Sequence, residues 1–229
     1  MIHGTKGVVL WDMDGTLISP IRSSTESPHL NAVVKNGFNP EEKYLKLLGS
    51  TDFEVISSLI SFYPGTENEN ILEKCFKDLD DISLSLYDSN SFLLCQGLPQ
   101  ALIRINELGW DNGILTGNTN LRMLKKLEIL KIADYFNKDF MFSCNLKDTR
   151  ENITERAKKT IILAGHSNSF IVGDTPRDIS VAKKYGLRVV AVSTGSFSLK
   201  ELENFAPNLL IRNLEDDLDI FLNFTIGLV

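Results

Sequence analysis

Two stretches of the chain place carboxylates directly behind short apolar runs. Asp12-Met13-Asp14 follows Val8-Val9-Leu10-Trp11, and Asp174-Thr175-Pro176-Arg177-Asp178 follows Phe170-Ile171-Val172-Gly173. Carboxylate oxygens that leave room for several waters suit a hard, octahedral cation such as magnesium, and such a cation is poorly held without a phosphate partner. The pattern therefore points to phosphoryl chemistry. Each cluster also has an ordinary reading, since Asp14-Gly15 is a turn dipeptide and Asp174-Thr175-Pro176 is capping and turn chemistry ahead of a helix. What favours function is that both follow a buried strand. Ile114-Leu115-Thr116-Gly117-Asn118 adds a hydroxyl and backbone amides just before a helix, a small cradle for an anion, although a plain strand-to-helix turn looks the same. Lys147 and Arg150 flank Asp148-Thr149 at the start of a later helix. Taken alone, such cations are solvated surface.

The elements that must position these groups follow from periodicity. Val8 to Trp11 reads as a buried strand ending in a polar loop. From about Leu17 to Leu94 apolar residues recur at helical spacing, as in Val55, Ile56, Leu59 and Ile60, so this region reads as a helical insert. After Gln96-Gly97-Leu98-Pro99 the pattern alternates. Helices are expected over 99–108, 120–130, 150–164 and 176–185, and strands over 113–116, 140–143, 170–172 and 189–192. Such alternation implies an α/β chain with a Rossmann-like parallel sheet covered on both faces. Ligands of such sheets bind outside the carboxyl ends of the strands, where the acidic clusters lie.

Composition narrows the function classes. The 229 residues are 43% hydrophobic and 24% charged, ordinary for a globular chain, and the formal charge of -6 argues against a nucleic-acid backbone as the main ligand. Cys75, Cys95 and Cys144 have no metal-site spacing, which fits reduced thiols in a cytoplasm. Neither a signal peptide nor a membrane span is expected, since no run approaches about 18 apolar residues. A small phosphorylated molecule is the expected partner; oligomeric state is not readable.

Asp12-x-Asp14-Gly15-Thr16, Leu115-Thr116-Gly117, a basic residue opening a later helix and Gly173-Asp174-x-x-x-Asp178 together resemble the ordered motifs of the haloacid dehalogenase superfamily. The resemblance spans residues 8 to about 195. It implies that the insert is a type 1 cap, as in phosphoglycolate-phosphatase-like members, with residues 1–16 and 95–229 as core and 17–94 as cap. It implies that Asp12 attacks phosphorus and forms an aspartyl-phosphate, and that Asp14 acts as general acid and base. Magnesium would be held by Asp12, the Asp14 main-chain oxygen and Asp174, with Asp178 acting through water or on a basic neighbour. Thr116 and the Gly117 and Asn118 amides would hold phosphate oxygens, and Lys147 or Arg150 would neutralise charge.

Asp14 argues for phosphate esters or anhydrides, since dehalogenases and phosphonatases resemble this scaffold but lack the second acid. Alternatives are a β-phosphoglucomutase-like mutase and a non-catalytic phosphate-binding module. The motif departs from the usual lysine-proline, because neither basic residue precedes a proline. Arg150, at the helix start, fits better than Lys147, which is expected in the preceding loop. Gly49-Ser50-Thr51-Asp52 resembles a cap loop of some relatives, although Thr51-x-x-Glu54 is also a sufficient capping box. Arg22, Ser23, Ser24 and His29 are candidates to meet a leaving group, and the cap is expected to hinge near residues 17–20 and 94–99.

Overall fold

A computed structural model describes residues 6–21, 27–40, 49–61, 63–64 and 69–227. The run Val8–Trp11 forms β1 and is wholly buried. It pairs on one side with β4 (Asp111–Thr119) and on the other with β6 (Ser169–Gly173), both parallel. β5 (Phe136–Cys144) extends the sheet beyond β4, and β7 (Arg188–Val192) and β8 (Leu209–Ile211) extend it beyond β6, giving the order β5-β4-β1-β6-β7-β8. The chain leaves β1 toward one edge and later returns to its other side. The crevice of this topological switch therefore opens at the carboxyl ends of β1, β4 and β6.

Successive residues of each central strand enter opposite layers, and both layers are apolar, which is why these strands read as continuous hydrophobic runs. Val9, Trp11, Phe170 and Val172 pack with Ala101, Leu102 and Ile105 of α4 (Gln100–Glu107), Met123 and Leu127 of α5 (Asn120–Leu130), and Phe221 and Phe224 of α9 (Leu218–Thr225). Val8, Leu10, Ile171 and Val189 pack with Ile153, Ala157 and Ile161 of α6 (Arg150–Leu163), Ile179 and Ala182 of α7 (Pro176–Lys184), and Leu202 of α8 (Leu199–Glu203).

Between β1 and α4, α1 (Pro28–Lys35), α2 (Asp52–Ile60) and α3 (Glu69–Leu86) gather around their own cluster of Ala32, Val33, Val55, Ile56, Leu59, Cys75 and Leu79. The chain enters and leaves this region through a two-stranded antiparallel ribbon, β2 (Ile18–Pro20) against β3 (Phe92–Leu94), with Ser19 opposite Leu93. Periodicity gave no sign of it, because three-residue strands carry too few alternations to register. Nor were α8, β8 and α9 anticipated beyond Val192. β4 also runs further than residue 116, reaching Thr119 through an irregular register against β5 after Leu115, so Gly117 and Asn118 belong to a bulged strand end.

Candidate active site

Behind β1 the chain turns at once, with the Leu17 and Ile18 amides both donating to the Met13 carbonyl at 2.9 Å. Met13 is fully buried in the core, so the residues on either side of it point away from that core, Asp12 into a buried cluster and Asp14 to an exposed position. That is the physical use of the Asp-x-Asp spacing. Gly15 sits at φ +89°, and a Cβ there would lie 2.3 Å from an Asp174 carboxylate oxygen. Only glycine permits both the conformation and the approach. The turn also carries Thr16 to Asp174, where its hydroxyl donates to Oδ1 at 3.1 Å.

Asp12, Asp174 and Asp178 converge, with one oxygen from each lying within 4.8 Å of the others. Asp178 is held by the start of α7: its Oδ2 accepts from the Thr175 hydroxyl at 2.7 Å and amide at 3.1 Å, a capping box that leaves Oδ1 facing the cluster. Arg150, the first residue of α6 and almost wholly buried, donates from Nη2 to Asp12 Oδ1 at 2.7 Å and to Asp178 Oδ1 at 2.6 Å. Burial pushes Asp12 up to about 7, against the pull of Arg150 and with Asp178 adding to the rise. Burial likewise raises Asp174 to about 8, reinforced by Asp12 and Asp178. Beyond burial, three converging carboxylates face one guanidinium, which leaves the cluster two positive charges short. A hard divalent cation fits both the oxygen donor set and the missing two positive charges.

Beside this cluster lies the end of β4. Thr116 Oγ1 accepts from the Asn118 amide at 3.2 Å and from Asn118 Nδ2 at 2.9 Å, so its own hydroxyl hydrogen remains to donate. Asn118 Nδ2 also reaches Asp14 Oδ2 at 2.6 Å. Lys126 on α5 meets the same carboxylate, Nζ lying 2.6 and 2.8 Å from its oxygens. Desolvation would raise Asp14, but the Lys126 ammonium, helped by Asn118 and Arg122, outweighs it and holds the group below the ordinary carboxylate range. With its side chain 47% exposed, Asp14 still opens to the crevice.

The loop Gly49–Asp52 presses onto this floor. A Cβ on Gly117 would meet the Ser50 carbonyl oxygen at 2.6 Å and the Thr51 Cα at 2.9 Å. Thr51 both forms its capping box with Glu54 and donates to the Asp148 carbonyl at 2.7 Å, while Arg177 bonds Ser50 Oγ at 2.9 Å and pairs with Glu54. Lys147 is set apart from the cluster. It sits in the loop before α6 at φ +68°, and its exposed ammonium pairs with Glu69 at the start of α3. The structure thus brings Arg150, and not Lys147, to Asp12.

His29 turns to a different partner: Nε2 lies 2.8 Å from Asp52 Oδ1. Asp52 also pairs with Arg122 and accepts the Thr119 amide at 2.7 Å, and Arg122 donates to the Tyr87 hydroxyl at 2.9 Å. This buried network ties α1 and α2 to the start of α5. Arg22, Ser23 and Ser24 lie outside the described residues.

The model of the haloacid dehalogenase-like hydrolase family matches residues 9–192. The chain belongs to this family. A protein named "Putative pyrophosphatase PpaX" from Caldanaerobacter subterraneus subsp. tengcongensis is 22% identical over 217 residues, covering 90% of each chain. A solved structure described as a predicted phosphatase from Clostridium acetobutylicum is 20% identical, with a TM-score of 0.72 over 96% of this chain and 100% of that one. Another, described as a predicted phosphoglycolate phosphatase from Haemophilus somnus, is 16% identical, with a TM-score of 0.70 over 96% and 100%. At these identities the structures establish a shared fold.

In this haloacid dehalogenase-like hydrolase the groups that motif reading missed are Lys126, Arg122 and the side chains of Thr16 and Asn118, along with the pairing of Asp52 to Arg122. One signal existed for the two cations. Arg122 and Lys126 are four apart and share a face of α5 with Met123 and Leu127, all buried. A cation on the apolar face of a helix needs a partner inside.

Proposed function

We propose that this hydrolase is a magnesium-dependent phosphatase acting on small phosphomonoesters through a phosphorylated Asp12. The observation that carries the reading is the cluster of Asp12, Asp174 and Asp178, two positive charges short of balance beside a buried Arg150. Residues 1–16 and 95–229 act as the core and 17–94 as the cap. Asp12, Asp174 and the Asp14 main-chain oxygen would hold magnesium, which when bound offsets repulsion between the Asp12 carboxylate and the phosphate. Asp178 contributes chiefly by fixing Arg150.

An Asp12 oxygen forms a bond to phosphorus as the ester oxygen leaves, and Asp14 gives that oxygen its proton. Asp14, now a carboxylate, takes a proton from the water that attacks the same phosphorus, releasing phosphate and restoring Asp12. Thr116 donates its hydroxyl hydrogen to a phosphate oxygen, beside the amides of Gly117 and Asn118, and Arg150 compensates charge on the phosphoryl group. The loop Gly49–Asp52 closes the floor and excludes water.

The test is hydrolysis of an aryl phosphate with magnesium and with chelator, combined with borohydride reduction of the quenched enzyme to locate an acyl phosphate. Magnesium-dependent turnover with reduction at Asp12 is expected. Turnover that survives Asp12→Asn would overturn the mechanism.

A further inference from the structure

Asp14 is gripped more tightly than its exposure requires. A carboxylate offers about four lone-pair sites, and three are filled here by Lys126 Nζ at 2.6 and 2.8 Å and Asn118 Nδ2 at 2.6 Å. Lys126 also donates to Asn118 Oδ1 at 2.8 Å, which closes a triangle of three side chains. The ammonium is 2% exposed and lies 5.3 Å from the Phe92 ring centre and 5.9 Å from that of Tyr87, whereas the carboxylate is 47% exposed. All the donors therefore lie on the protein side, and the remaining lone pair is the one that can face the crevice.

The ordinary account, a buried lysine that needed any counter-charge, fits poorly. Burying an ammonium is costly and a lysine end is usually left in water, while a half-exposed carboxylate could be satisfied by solvent alone. Nor does Lys126 stand alone, because the rings behind it belong to Tyr87, just past α3, and to Phe92 in β3. Its seat is thus built by the segment that leads back from the helical insert.

We infer that Lys126 is the positioning residue for Asp14, fixing its carboxylate so that the one free site meets the leaving-group oxygen. This rests on the reading of Asp14 as proton donor. In that step the Asp12–phosphorus bond forms, the phosphorus–oxygen ester bond breaks, and the Asp14 proton moves to the departing oxygen, which leaves as an alcohol. Asp14 is left as the carboxylate that Lys126 and Asn118 hold.

A leaving group that needs no proton supplies the test. kcat/KM, which reports the steps through phosphorylation of Asp12, is measured for p-nitrophenyl phosphate and for a simple alkyl phosphate. Lys126→Met keeps an unbranched apolar side chain, one atom shorter, beside the two rings and removes the ammonium. It is expected to lose about 100-fold or more on the alkyl ester but less than about 10-fold on the aryl ester, the scale of a displaced acid catalyst. Lys126→Ala should regain alkyl-ester activity with added ethylammonium. Equal losses on both esters at an unchanged melting temperature, or no loss, would overturn the assignment. Asp14→Asn separates this from the underlying reading: if it shows the leaving-group dependence and Lys126→Met does not, only the role of Lys126 fails. If Asp14→Asn does not show it, the reading of Asp14 fails. Should Lys126→Met not fold, Lys126→Gln is judged by the same two esters.

Discussion

Removing the charge of Arg150 should destabilise the metal-free protein by an amount that depends on pH. Arg150→Met keeps much of the buried volume but leaves Asp12 and Asp178 without the guanidinium now 2.7 and 2.6 Å away. At an effective dielectric constant of about 20 and roughly 4 Å between charge centres, each pair is worth about 4 kcal/mol. The desolvation of the guanidinium, no longer needed, returns part of this, so a net loss on the order of 3–5 kcal/mol is expected. For a chain of this size that lowers the melting temperature by roughly 6–20 °C. The sign with pH follows from the carboxyls. Asp12 and Asp174 already stand raised, to about 7 and about 8. The folded state therefore binds more protons than the unfolded one between about pH 4 and 8, and that stability is lost as pH rises through this window. Loss of Arg150 raises Asp12 further, so the deficit against wild type should be small at pH 5.5 and large at pH 8.5. Added magnesium should restore part of it. Scanning calorimetry in chelator at the two pH values makes the measurement, and equal deficits, or none, would refute the argument.

Asp12→Asn removes both the attacking group and one of the crowded charges, so aryl phosphatase activity should fall to background while the metal-free melting temperature at pH 8 stays level or rises. Gly117→Ala places a methyl 2.6 Å from the Ser50 carbonyl and should lift the loop Gly49–Asp52, raising KM several-fold and speeding protease cleavage near that loop. Burial holds Cys95 and Cys144 up at about 12, so a thiol reagent at pH 8 should leave both unmodified until denaturant unfolds the chain; rapid labelling of the native protein would contradict their burial.

The sheet was legible because its central strands are buried on both faces, so that β1, β6 and β7 appear as apolar runs such as Val8–Trp11 and 189–192. The acids were legible because their spacing is set by local geometry, Met13 inward between Asp12 and Asp14, and Asp178 closing the first turn of α7. What resisted reading depends on contacts distant in sequence. Lys126 is 112 residues from Asp14 and Arg122 is 70 from Asp52, and no local pattern announces either pair. The β2–β3 ribbon was hidden for a related reason, because it exists only where the chain leaves and re-enters the core at one place. Arg150 could be favoured over Lys147 beforehand only by its place at a helix start. The preference has a structural cause, since the first turn of α6 points inward at the strand ends while Lys147 occupies a left-handed turn outside.

The two carboxyls of the Asp-x-Asp pair are displaced in opposite directions, and the sense of the displacement bears on the chemistry. Without cation or substrate, Asp12 is raised and Asp14 is lowered. A nucleophile must be ionised and a proton donor must be protonated, so the resting order is the reverse of what the proposed first step needs. Each departure has a cause that the reactants remove. Asp12 is raised by burial among like charges, and two positive charges brought to Asp12 and Asp174 favour its ionised form. Asp14 is lowered by Lys126, and a phosphate dianion in the crevice repels its negative charge, which favours the protonated form. On the proposed reading, the pair acquires its working protonation only when cation and phosphate are both present.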